Sequence, residues 1–90
     1  MVAIELSYKT SLDQVNRHLD AHRAFLQRYY DQGLFVASGA KIPRDGGVFL
    51  AVCDAKRAKE IIADDPLCKH GAAEYRTMAF DPIKCSDGFA

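Results

Sequence analysis

The chain has 90 residues, with 12 Lys and Arg against 12 Asp and Glu, 49% hydrophobic residues and 27% charged ones. That is the composition of one small globular domain, close to the size at which a core becomes marginal and a dimer would help. A formal net charge of zero disfavours nucleic acid or an anionic membrane surface as the main partner.

No apolar run is long enough to span a bilayer, and MVAIELSYKT lacks the basic segment and apolar core of a signal peptide. Cys53, Cys68 and Cys85 form no CxxC pair and no zinc pattern with the histidines. A reducing, cytosolic setting fits them, as small buried hydrophobes or idle thiols.

In chain order, Val2, Ile4, Leu6 and Tyr8 alternate with Ala3, Glu5 and Ser7, the period of a strand with one apolar face. Ser11 or Thr10 then caps a predicted helix of about twenty residues. Its apolar stripe is Leu12, Val15, Leu19, His22, Leu26 and Tyr29. Gly33 suits the left-handed position that ends it. Leu34 to Ser38 reads as a strand, Ala40 to Gly47 as a hairpin turn, and Val48 to Cys53 as a strand buried on both faces. Asp54 caps a second helix with Ala58, Ile61 and Ile62 inside, and Asp64-Asp65-Pro66 stops it. Cys68 to Gly71 reads as loop or a short helical turn, Glu74 to Phe80 as the last strand, and Pro82 to Ala90 as a polar tail.

The order β-α-β-β-α-β is that of a ferredoxin-like α+β fold, a four-stranded antiparallel sheet with two helices on one face. The other face then needs a cover. A second sheet from another copy supplies one, giving a dimeric α+β barrel-type assembly and walls for a cleft.

His22 is the most informative residue, because a polar ring stands on the apolar stripe between Leu19 and Leu26. It is either a satisfied core histidine or a general acid or base. Asp65 is either part of helix-stop chemistry or a carboxylate that fixes the tautomer of that imidazole, since the end of the second helix can approach the first. Ser38 and Gly39 are turn residues, or a hydroxyl and a backbone N–H beside a pocket. His18, one turn before His22, has no acidic partner of the HExxH type, and His70 reads as solvated. The tyrosines read as core and interface.

Three segments, AHRAFLQRYYDQGLFVASG, DGGVFLAV and DDPLCKHGAAEYRTMAFDPI, give the chain a resemblance to the YciI-like proteins (YCII-related domain) over Val2 to Lys84. The resemblance implies one domain over residues 1–84 with a tail at 85–90, a homodimer or higher even oligomer, and an active site around a histidine and an aspartate that takes a small molecule. By motif position these are His22 and Asp65, with Ser38 and Gly39 in the same cleft. Ala40 stands where the family usually has proline, and Leu19 where some members carry arginine. Some relatives are associated with breakdown of aromatic compounds, and the architecture resembles muconolactone isomerases. Proton transfer on a small cyclic or enol-like molecule, by isomerisation or elimination, is the activity this implies. No phosphate loop or dinucleotide fingerprint is present, so no cofactor is expected. Two other readings stay open: a non-catalytic ligand-binding or regulatory dimer, and an accessory subunit of a larger enzyme.

Overall fold

The computed structural model of the chain describes residues 1–87, so part of the tail expected at 85–90 lies outside the described residues. Eight elements follow in order: β1 Val2–Tyr8, α1 Leu12–Asn16, α2 Leu19–Asp31, β2 Phe35–Ala40, β3 Gly46–Ala51, α3 Ala55–Ala63, α4 Pro66–Lys69 and β4 Ala73–Ala79. The strands form one antiparallel sheet in the order β2-β3-β1-β4, which is the expected ferredoxin-like topology. No helix among the described residues is long and apolar enough to cross a membrane.

Local chemistry sets most of the boundaries. The Ser11 hydroxyl accepts from the Gln14 N–H at 3.3 Å, and the Asp54 carboxylate accepts from the Arg57 N–H at 2.8 Å. Gly33 has φ +73°, and the N–H groups of Gly33 and Leu34 return to the carbonyls of Tyr30 and Tyr29. This is a Schellman ending, and the positive φ is what requires glycine there.

The first helix departs from its single-helix pattern. It is broken at Arg17–His18, where His18 takes φ −110° and becomes the N-terminal flank of α2. Neither glycine nor proline stands there. The His18 ring instead stacks on that of His70, with centroids 4.1 Å apart, so a contact with the end of α4 accompanies the break. The inward stripe shifts as well. Leu12 is exposed, while Phe25 is almost completely buried and packs edge-on against Tyr29 and Phe35.

The predicted strand Val48 to Cys53 begins two residues earlier, at Gly46, because the turn closes with the Lys41 N–H on the Gly46 carbonyl. A Cβ on Gly46 would run into the Leu6 carbonyl, so β1 and β3 meet there only because it is glycine. The strand is not buried on both faces within one chain. Phe49 and Ala51 face the helices and are buried, whereas Val48 is 42% exposed. Two helices, α2 and α3, cover one side of the sheet, with the one-turn α1 and α4 attached to them. Val2, Ile4, Leu6, Phe49 and Ile61 form the core between the layers.

Candidate active site

Asp65 and Asp64 are adjacent in sequence and have opposite fates. Asp64 closes α3 at the surface, where its carboxylate receives Arg28 at 3.1 Å, the Tyr29 hydroxyl at 3.0 Å and Lys69 at 3.5 Å. Asp65 is 0% exposed. Pro66 does stop α3, but it also begins α4, with Asp65 as the cap: its Oδ1 accepts from the Leu67 N–H at 3.1 Å. Proline at the first helical position loses no hydrogen bond and presets the backbone angle. The Asp-Asp-Pro sequence thus fixes the Asp65 carboxylate by backbone geometry.

That carboxylate meets two further groups. His22 Nδ1 lies 2.8 Å from Oδ1, across 43 residues of sequence. The Tyr75 hydroxyl donates to Oδ2 at 2.6 Å. A carboxylate only accepts, so against it His22 Nδ1 carries a proton. Burial, then the hydrogen bond and charge of Asp65, push the Tyr75 phenol far up, so it stays a donor. An unpaired buried carboxylate would be costly; here both oxygens have partners.

His22 stands on α2 one turn before Phe25 and Leu26. Its side chain is 12% exposed, and Phe25 and Phe49 flank it with ring centroids 5.9 and 6.0 Å away. The exposed part opens on a cleft of about 210 Å³ between α2 and the β2–β3 hairpin. With Nδ1 engaged by Asp65, Nε2 is the ring nitrogen left for a molecule in that cleft. Leu6, Leu19, Leu26 and Phe49 make its apolar walls.

Ser38 and Gly39 line the same cleft. Ser38 owes its place to a β-bulge. The β2–β3 pairing runs Phe35 with Ala51, then Ala37 with Leu50 and Ser38 with Phe49, leaving Val36 as the extra residue. Strict alternation would put Phe35 and Ser38 on opposite faces; one inserted residue puts both on the helix side. The Ser38 hydroxyl is then 2.8 Å from that of Tyr30 on α2.

Three cleft-related residues had no clear sequence signal. Tyr75 reads as core from its strand position, although a buried phenol needs a polar partner. Arg23 and Arg44 line the cleft as well. Arg44 sits in a loop whose direction the sequence does not give. His18 is turned to His70. The three cysteines are free, and burial pushes the Cys53 thiol up, away from thiolate reactivity.

The sequence model of the YCII-related domain matches residues 1–81. No curated protein matches the chain. Among solved structures it is similar to the 5-chloro-2-hydroxyhydroquinone dehydrochlorinase of Burkholderia phenoliruptrix AC1100, in complex with 2,5-dihydroxybenzoquinone. The TM-score is 0.74 at 14% identity, covering 90% of this chain and 94% of that one. At such identity the likeness is one of fold.

Proposed function

The chain belongs to the YCII-related family, and from that membership and its own cleft we propose that it is a small lyase or isomerase that moves a proton without a cofactor. The observation that carries this reading is the contact of His22 Nδ1 with the fully buried Asp65 at 2.8 Å, which leaves Nε2 for the cleft. Asp65 orients the imidazole and steadies its charge when it gains a proton. Ser38 and Gly39 are the ligand-facing groups of the opposite wall.

In the reaction, Nε2 takes a proton from a carbon or hydroxyl of a small cyclic or enol-like substrate. The electron pair of that bond moves into the conjugated system. It then either expels a leaving group as an anion, or collects a proton at another atom from the imidazolium. No oxidant or reductant is required. The dehydrochlorinase named for its fold likeness acts on a chlorinated hydroxyhydroquinone, which makes ring compounds of aromatic breakdown the first substrates to try. The working unit is a homodimer with the open sheet faces packed together. Its setting is the reducing cytosol, in keeping with three free thiols.

The test is turnover and solvent-deuterium exchange on a panel of hydroxyquinols and enol lactones, with His22→Ala beside the unsubstituted protein. Loss of His22-dependent exchange with the fold retained is the expected result. If no panel member exchanges, and His22→Ala only lowers the melting temperature, the pair is structural and the chain is a binding dimer.

A further inference from the structure

The cleft carries a charge that the net-neutral sequence conceals. Its lining includes Arg23, Arg44 and His22, and not one carboxylate. The acid behind His22, Asp65, is buried and held by three donors, so it presents no oxygen to the cleft.

Arg44 is the more telling of the two arginines. Its guanidinium lies 5.9 Å from the centre of the Tyr8 ring and donates to Asn16 Oδ1 at 3.3 Å. Both partners are neutral, and among the described residues no acidic side chain pairs with it. A guanidinium within cation–π range of a ring and hydrogen-bonded to a neutral amide keeps its charge uncompensated, which suits it to a planar anion. Arg23, on α2 one residue after His22, pairs with Asp20 at 3.6 Å, a solvent-exposed contact of little strength that a ligand can replace.

The rest of the lining sets the ligand's body. Leu19, Leu26 and Phe49 offer apolar surface around His22. A cavity of about 150 Å³ accepts benzene, so one of about 210 Å³ admits a single six-membered ring with small substituents.

We propose that the cleft takes a small ring carboxylate, its anion held by Arg44 with help from Arg23 and its ring laid against Leu19, Leu26 and Phe49 beside His22. This rests on the reading that the His22 cleft is the working site. It goes further by fixing the ligand's charge and where that charge sits. Arginine takes a carboxylate through two parallel N–H bonds, so the contact also sets which ring edge meets Nε2.

Benzoate and benzyl alcohol are the probes, titrated into the intact protein at low salt while the amide resonances of Gly39, Gly46 and Gly47 are followed. Benzoate should bind at least tenfold more tightly than the alcohol and weaken as salt is added. Arg44→Gln should weaken benzoate by about ten- to a hundredfold, the worth of hydrogen bonds to a charged group. Arg23→Gln should weaken it by about two- to fivefold. Equal binding of the two probes, or benzoate affinity unchanged in both variants, overturns the proposal. If inorganic phosphate displaces benzoate at equal concentration, the ring-carboxylate assignment is overturned.

His22→Gln separates this inference from the catalytic one. Benzoate binding retained in that variant, with no exchange activity found for the unsubstituted protein, leaves the anion site standing and removes the dyad reading. His22-dependent exchange without preference for benzoate does the reverse.

Discussion

The Tyr75 hydroxyl lies 2.6 Å from Oδ2 of Asp65, the oxygen that His22 does not use. A strand residue of β4 thus completes a carboxylate already fixed by its own helix cap. Tyr75→Phe keeps the ring and leaves Oδ2 buried without a partner. Unfolding free energy should fall by about 1–3 kcal/mol. Urea denaturation checks this as a lower midpoint with unchanged slope. An unaltered midpoint would show that Oδ2 reaches water.

Asp65→Asn tests charge apart from packing. The amide is nearly the same size, and its oxygen can take the place of Oδ1, which accepts from the Leu67 N–H and faces His22 Nδ1. Its NH₂ group then faces the Tyr75 hydroxyl, which can turn to accept, so His22 keeps its Nδ1 proton and only the negative charge behind it is lost. Proton-transfer activity should then fall by about ten- to a hundredfold with the fold kept, the worth of a hydrogen bond to a charged group. Nitrogen-15 NMR of the His22 ring should show the same tautomer in both proteins. Activity unchanged in the variant would refute the part played by the Asp65 charge.

Asp64 gives a prediction in pH. The Tyr29 hydrogen bond chiefly, with Arg28 and Lys69, holds its carboxyl below the usual carboxylate range, against a partial opposing effect of desolvation. A depressed folded value means that the unfolded chain binds the proton first as pH falls. The Asp64 contribution is therefore complete above the unfolded value of about 3.9 and lost as pH drops through the lower folded value. Asp64→Asn should melt lower than the unsubstituted protein near neutral pH, and the gap should close below about pH 4. A gap of constant size from about pH 7 to pH 2.5 would mean that the charge plays no part.

Much of this was legible in the sequence, for reasons that are local. Period-two alternation marks β1 from Val2 to Tyr8, and Ser11, Gly33 and Asp54 mark helix ends because each satisfies orphan backbone groups. His22 stands out as a polar ring on an apolar stripe. What was not legible is non-local. The break at His18 goes with a ring 52 positions away, at His70. The facing of Ser38 depends on one bulged residue, Val36. Tyr75 and Arg44 gain their meaning from what the fold sets against them, Asp65 in one case and the cleft in the other. The outer face of β3 was not legible either: VFLAVC looks doubly buried, yet a single chain fully buries only Phe49 and Ala51 of it.

That outer face carries the last prediction. Antiparallel partners share a face, so Ala3, Val48, Leu50 and Met78 lie together on the side away from the helices, with Ala37 beside Leu50. Val48 is 42% and Met78 70% exposed, while Glu5 and its cross-strand partner Arg76 share this face, with Lys41 on Glu5, as one charged cluster beside the apolar surface. A patch of this kind on a two-layer domain calls for a second copy. The cleft and the His22–Asp65 pair lie on the opposite side, among the helices. A charge at Val48 therefore meets solvent in the single chain but would be desolvated in a packed pair of sheets. Sedimentation should give the unsubstituted protein twice the 10.0 kDa chain mass. Val48→Asp should sediment as a single chain, keep its far-ultraviolet dichroism and melt at a lower temperature. A monomeric unsubstituted protein at high micromolar concentration would refute the sheet-to-sheet dimer, and a dimer untouched by the aspartate would place the subunit contact elsewhere.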